Sequence, residues 1–294
     1  MKILVLGSKG QLGRCLNDQL KNIEHEVIYT SREQIDVADF EGTKNKFFEI
    51  SPNVVINATA FTAVDKAEQD QEQANLINHL AVANIANLCC QLDCWLIHVS
   101  TDYVFDGNSK VPYREEDQPN PQSVYGETKL NGELAIQSSG CKKIIIRTAW
   151  VFSEYGNNFL KTMLSIGAKR NELFIVDDQI GSPTYAQDIA IAIFFIISQL
   201  NSSESIDGVY HFCGDSACSW FEFAKEIFNQ MNKHDQVPIP IIKGIASIEY
   251  PTLAKRPKFS VLDNRKLKEK FDILPSDWKV GVKSALEKCG KINI

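Results

Sequence analysis

The stretch Ile3-Leu4-Val5-Leu6-Gly7-Ser8-Lys9-Gly10-Gln11-Leu12-Gly13 decides the fold. Apolar residues running straight into glycines read as a strand buried on both faces, the pattern of a parallel sheet. Residues 11–20 then read as a helix. Gly7, Gly10 and Gly13 therefore occupy a strand-to-helix turn with the spacing G-x-x-G-x-x-G. Glycine permits the tight turn and lets the backbone approach a pyrophosphate, whose charge suits the positive end of the following helix. The alternative is a tight turn that binds nothing.

Outward from this turn the rhythm repeats. Strand-like runs at 26–29, 54–56, 95–99 and 143–146 alternate with helical patterns at 43–50, 75–92 and 124–138. Buried strands alternating with helices predict a parallel sheet covered on both faces. After Trp150 the rhythm changes. Helices are expected at 159–169, 188–200 and 220–231, a strand at 173–176, and a strand at 208–213 that returns to the sheet; 237–256 reads as extended or looped. The expected class is α/β, a Rossmann-type doubly wound parallel sheet with a smaller C-terminal domain. The dinucleotide-binding domain would be 1–150, with returning segments near 173–213, and the second domain 151–172 and 214–294.

Composition narrows the function classes. The chain has 294 residues, 44% apolar and 23% charged, with 31 basic against 37 acidic residues and a net charge of −6. That balance argues against a nucleic-acid-binding surface. The eight cysteines form no C-x-x-C pair and no zinc pattern; they read as free thiols, which suit a reducing cytoplasm. The longest apolar run, 189–197, is too short to span a membrane, and the first residues have the wrong flanks for a signal peptide. The histidines show no ligand spacing, so no catalytic metal is expected.

Chemistry gathers at three places. The second strand runs into Thr30-Ser31-Arg32, with no carboxylate before Glu33. An acid there reads the ribose of NAD, whereas an arginine accommodates the 2′-phosphate of NADP. Arg32 thus tilts the choice towards NADPH, with NADH as the alternative cofactor and a solvated arginine as the alternative role. Tyr125 and Lys129 form Y-x-x-x-K at the start of a helix and share one face. An ammonium beside the phenol would lower its pKa from about 10 and make proton exchange practical. Ser100 and Thr101 end the fourth strand, where open parallel sheets bind ligands; either hydroxyl could polarise a carbonyl there.

Together, Gly7-x-x-Gly10-x-x-Gly13, a Ser/Thr at the end of the fourth strand and Tyr125-x-x-x-Lys129 resemble an extended short-chain dehydrogenase/reductase. The segments 57–68 (NATAFTAVDKAE), 98–107 (HVSTDYVFDG), 124–129 (VYGETK) and 147–151 (RTAWV), with Asn157-Asn158-Phe159, 178–184 (DQIGSPT) and Arg256-Pro257, resemble the dTDP-4-dehydrorhamnose reductase family more specifically. The resemblance implies that Gly10, Gln11 and Leu12 wrap the cofactor pyrophosphate. It puts Asp36 and Val37 by the adenine, and Ala58, Thr59 and Ala60 along the cofactor. Thr101 and Asp102 would contact the sugar, Tyr125 would donate the proton, and Lys129 would support Tyr125 and bind the nicotinamide ribose. Trp150 would shape the substrate pocket, with plain core as its alternative. Arg256 would meet the substrate diphosphate, with a surface ion pair as its alternative.

The implied activity is NADPH-dependent reduction of dTDP-4-dehydro-β-L-rhamnose, for dTDP-rhamnose and polysaccharide biosynthesis, with a dTDP-sugar as the binding partner. Two alternatives are a reductase of another 4-keto-6-deoxy sugar nucleotide and a non-catalytic NADP-binding subunit resembling the methionine adenosyltransferase β subunit. Some family members use a glutamate where this chain has Cys15, in a magnesium-bridged dimer contact. The resemblance therefore leaves magnesium and a homodimer open. Ala149 stands where many members have serine.

Overall fold

The computed structural model describes residues 1–21, 24–200, 206–235 and 239–290. β1 (Lys2–Leu6) and α1 (Gln11–Leu20) flank the glycine turn, followed by β2 (Glu26–Thr30), α2 (Phe40–Ile50) and β3 (Val54–Asn57). Next come α3 (Val64–Gln69), α4 (Gln71–Asn75), a π-helical turn at Leu76–Leu80, α5 (Ala81–Gln91), β4 (Trp95–Thr101), α6 (Val124–Ser138) and β5 (Lys142–Thr148). Beyond them lie β6 (Val151–Phe152), α7 (Phe159–Gly167), β7 (Glu172–Val176), β8 (Ile180–Gly181), β9 (Thr184–Tyr185), α8 (Ala186–Gln199) and β10 (Gly208–His211). The chain closes with β11 (Cys218–Ser219), α9 (Trp220–Asp235), β12 (Ile241–Ile245), α10 (Arg265–Phe271) and α11 (Trp278–Lys288).

Six strands form the main sheet in the order β10-β5-β4-β3-β1-β2, all parallel. The direction of winding reverses between β1 and β3, which opens a crevice at their carboxyl ends. On one face Ile3, Val5 and Ile56 pack against Leu16 of α1, Ile189 and Ile193 of α8, and Leu267 of α10. On the other, Leu4, Leu6, Val55 and Ile145 pack against Phe47 of α2, Val82 and Ile85 of α5, and Ile136 of α6. Burial on both faces explains why these strands read as unbroken apolar runs. A separate apolar cluster, including Phe152, Leu160, Leu173, Phe223, Phe228, Trp278 and Leu286, organises the later elements. No helix among the described residues is long and apolar enough to cross a membrane.

Two expectations change. The helix read at 75–92 starts earlier, at Gln71, and carries the π turn. The Asn78 side chain in that turn accepts from the Phe61 amide (2.8 Å) and donates to the Phe61 carbonyl (3.1 Å) and to Thr128 Oγ1 (3.2 Å). Those bonds reward the widened turn locally. The segments near 173–213 are also divided. β10 joins the main sheet beside β5 and α8 packs on it, but β7 pairs with β12 in a sheet of its own. Leu173 and Ile175 point into the third cluster while Phe174 faces outward, so β7 has only one face to bury.

Candidate active site

The glycine turn is a cradle that side chains would fill. Gly7 has φ +81°, and its amide and that of Ser8 donate to the Thr30 carbonyl at 3.1 and 3.0 Å. A Cβ added to Gly13 would lie 2.2 Å from the Gly7 carbonyl oxygen, and one on Gly7 would lie 3.0 Å from the Ala58 carbonyl oxygen. Gly10 precedes α1 in an extended conformation. The first-turn amides that follow, on Gln11, Leu12 and Gly13, have no acceptor within the helix. The Leu12 side chain is core. The Gln11 side chain accepts from Ser153 Oγ (3.0 Å) and Asn158 Nδ2 (2.8 Å), fastening the 153–158 loop to the cradle. Ala58, Thr59 and Ala60 leave β3 beside Gly7.

At the end of β2, Arg32 is 74% exposed and pairs with Asp36 at 3.2 Å. Asp36 also accepts from the Ala38 amide at 3.1 Å. Glu33 accepts from Ser31 Oγ (2.5 Å) and from Lys9 of the glycine turn (3.0 Å). These bonds hold its carboxyl down at about 2. Val37 is buried with Leu4, Leu6 and Phe47.

The two hydroxyls ending β4 point to opposite faces, as neighbours on a strand must. Ser100 Oγ donates to Glu133 Oε1 at 2.5 Å, and Arg147 clamps the same carboxylate with Nη2 at 2.7 Å. Ser100 therefore belongs to a buried network below the site, and Thr101 is the hydroxyl that faces Tyr125. Thr101 donates to Asp102 Oδ1 at 3.0 Å and accepts from the Tyr103 amide at 3.2 Å, and it lies close enough to the Tyr125 phenol to act on its ionisation.

Tyr125 sits in the first turn of α6, which Ser123 caps by accepting from the Gly126 amide at 3.2 Å. A Cβ on Gly126 would lie 2.2 Å from the Tyr103 carbonyl oxygen, so α6 enters tight against the end of β4. The Tyr103 ring meets Tyr125 edge-on at 5.4 Å. Desolvation pushes the Tyr125 phenol up to about 12, partly offset by the neighbouring Thr101 hydroxyl.

Lys129 is buried. Its Nζ donates to the Val99 carbonyl at 2.8 Å and lies 3.2 Å from His98 Nε2. Burial lowers it to about 8. The amine turns towards β4 rather than the phenol, and the groups shifting Tyr125 are its burial, Thr101 and Asp102. Asp102 is buried, which pushes its carboxyl up to about 6 against hydrogen bonds from Ser260 and Thr101.

Trp150 takes φ +47°, unusual for a bulky residue. Its indole stacks on Trp220 with centroids 3.5 Å apart and planes 6° from parallel. Gly181 makes room, since a Cβ there would come within 2.4 Å of the indole. Arg256 pairs with Asp65 through Nη2 at 2.8 Å, and its Nε is buried without a partner among the described residues. Cys15 is buried in α1, and burial pushes its thiol up to about 12, which leaves it protonated and a poor ligand. Nearby, Glu154 binds Lys288 at 2.7 Å. Among the described residues no group of three or more His, Cys, Asp or Glu is arranged to hold a metal.

The fold thus gathers Gly7, Gly10, Gly13, Ala58, Thr59, Ala60, Thr101, Asp102, Tyr125 and Trp150 along the carboxyl edge of the sheet. Arg32 and Asp36 lie at its outer end, while Leu12 and Val37 give their side chains to the core. Trp220 was missed by sequence reasoning, because an aromatic opening an amphipathic helix reads as core. Asn57 and His98 sat inside quoted motifs without a role.

A glycine cradle at the switch point of a doubly wound sheet, beside a threonine hydroxyl and a Tyr-x-x-x-Lys helix, defines an extended short-chain dehydrogenase/reductase. Within that class, the chain belongs to the RmlD substrate binding domain family, whose model matches residues 1–290. It is 40% identical over 286 residues to a dTDP-4-dehydrorhamnose reductase of Aggregatibacter actinomycetemcomitans, covering 96% of this chain and 97% of that one. The structure of a dTDP-4-dehydrorhamnose reductase from Clostridium acetobutylicum superposes with a TM-score of 0.92 at 38% identity, over 99% of this chain and 100% of that one. That of the Bacillus anthracis reductase in complex with NADP gives 0.90 at 33% identity, over 98% and 99%.

Proposed function

We propose that this protein uses NADPH to reduce the C4 ketone of dTDP-4-dehydro-β-L-rhamnose, giving dTDP-β-L-rhamnose. The observation that carries the chemistry is Thr101, at the end of β4, beside Tyr125, in the first turn of α6, at the carboxyl edge of the sheet. Relatives of this activity match over nearly the whole chain, which favours it over another sugar nucleotide or a non-catalytic subunit.

The cradle fits a dinucleotide, because Gly7 and Gly13 leave space that any Cβ would close. Gly7, Gly10, Gln11, Leu12 and Gly13 would hold the pyrophosphate, and Ala58, Thr59 and Ala60 the adjoining stretch. Arg32 would take the 2′-phosphate; Asp36 and Val37 would lie by the adenine. When bound, the nicotinamide supplies the hydride. Tyr125, kept protonated at neutral pH by its burial, donates its proton to the C4 oxygen. The Thr101 hydroxyl shares that oxygen and steadies developing negative charge. Lys129 fixes the nicotinamide ribose and supports Tyr125. Asp102 orients the sugar hydroxyls, and the Trp150–Trp220 stack walls the sugar pocket. Arg256 has its buried Nε free for a diphosphate oxygen.

In this reading residues 1–150 bind the cofactor, while 151–172 and 214–294 bind the substrate. The setting is the cytoplasm, where the free cysteines stay reduced. The test is NADPH oxidation by purified protein supplied with dTDP-4-dehydro-β-L-rhamnose or other 4-keto sugar nucleotides. Turnover with the first and not the others is expected; cofactor binding without turnover of any would overturn the reading.

A further inference from the structure

Lys129 does not end a row of hydrogen bonds; it stands in the middle of one, and the row has a direction. The Thr59 amide donates to Asn57 Oδ1 at 3.0 Å. A backbone N–H can only donate, so the Asn57 carboxamide must present its oxygen to Thr59 and its NH₂ to the other side. On that side, 3.1 Å away, is His98 Nδ1. An NH₂ group requires an acceptor, so Nδ1 carries no proton. The neutral ring then bears its proton on Nε2, which faces Lys129 Nζ at 3.2 Å. An ammonium cannot accept that bond, but a neutral amine can, while still donating to the Val99 carbonyl.

We infer that Asn57 and His98 form a tautomer lock that favours the neutral amine of Lys129 over its ammonium, making both positioning residues for the site. A proton added to Lys129 sets two donors against each other somewhere in the row. Reversing the ring tautomer moves the conflict to Asn57, and turning the Asn57 amide moves it to Thr59. Asn57 and His98 are fully buried, so water cannot relieve the conflict. Burial acts on Lys129 in the same direction. His98 cannot take the proton instead, because burial holds its own pKa well below the usual range.

The other groups facing the pair are few. Glu133, one turn along α6, favours the ammonium, but it is engaged by Arg147 of β5. Asp102, after β4, acts on Tyr125. β3 contributes only Asn57. The lock therefore decides at what pH Lys129 becomes a cation able to support Tyr125. That consequence rests on the function proposed above; the tautomer itself does not.

Long-range ¹H–¹⁵N correlation spectra of the full chain, labelled with ¹⁵N-histidine, report which ring nitrogen bears the proton. The His98 signal is the one lost in His98→Gln or, should that chain not fold, the one left when the other four histidines are replaced. A proton on Nε2 is expected, and a proton on Nδ1 in the unsubstituted protein overturns the lock. Asn57→Asp should reverse the ring, since a carboxylate at 57 accepts from Nδ1 and leaves Nε2 to accept from an ammonium. The high-pH limb of kcat, where Lys129 loses its proton, should then move up by roughly one unit or more. An unmoved ring in the folded variant overturns the lock. If that variant does not fold, the tautomer of the unsubstituted protein decides alone. An Nε2 proton in a protein that reduces no sugar nucleotide upholds the lock and removes only the proposed function.

Discussion

At the residue scale the site depends on single oxygens. Tyr125→Phe keeps the ring against Tyr103 but removes the proton donor, and Thr101 is too weak an acid to replace it. The kcat for NADPH oxidation should fall by roughly 10²- to 10⁴-fold, with cofactor affinity retained; near-normal single-turnover rates would mean that another group supplies the proton. Arg32 makes one exposed ion pair and is free to exchange it. Arg32→Ala should weaken NADPH by about 1.5 kcal/mol and leave NADH nearly unchanged, which titration of both cofactors would reveal. Asp102 carries a pH signature. Its folded pKa, about 6, lies above the usual aspartate value. The fold therefore binds the proton more tightly than the unfolded chain does. This group's contribution is favourable below the unfolded pKa and is lost as pH rises through about 6. Asp102→Asn should remove that slope, so urea midpoints of variant and parent should diverge at high pH, by up to about 3 kcal/mol in stability.

At the element scale, the position of α6 governs the chemistry, because the helix carries both Tyr125 and Lys129. It is held by two close approaches, Gly126 against the Tyr103 carbonyl and Gly132 against the Asn78 carbonyl of the π turn, where an added Cβ would lie 2.2 Å away in each case. Gly132→Ala is normally a helix-stabilising change. Here it should push α6 off the π turn, lower stability by about 1–3 kcal/mol, and reduce kcat more than cofactor affinity. Thermal melts with steady-state kinetics would show both effects. A stabilised, fully active Gly132→Ala protein would mean that the two helices tolerate a wider spacing. The π turn could not be read from residues 75–92, since its bonds go to Phe61 and Thr128, which are distant in sequence.

At the scale of the whole molecule, contacts across the later part of the chain brace the sheet. Gln11 ties the cradle to the 153–158 loop, and Lys288 near the end of the chain reaches Glu154, whose side chain is only 4% exposed. Lys288→Met would leave that carboxylate buried with Tyr185 as its remaining side-chain hydrogen-bond donor among the described residues. The expected loss is about 1–3 kcal/mol, below that of a fully buried pair because the Lys288 end is solvated. Urea denaturation should show it, with NADPH affinity largely intact.

The amino-acid sequence by itself determined the local features of this protein. Ile3 to Gly13 dictates strand, turn and helix because burial, glycine geometry and helix periodicity act within a few residues. The class of fold, the hydroxyl pair Ser100-Thr101 at a strand end, and Tyr125 and Lys129 on one helix face were legible for the same reason. Only the tertiary structure decided which strand β7 would join, which of Ser100 and Thr101 faces the site, and which way Lys129 points. Those outcomes depend on partners such as β12, Glu133 and His98. Their distance along the chain leaves no periodic trace, and they become neighbours only when the sheet assembles.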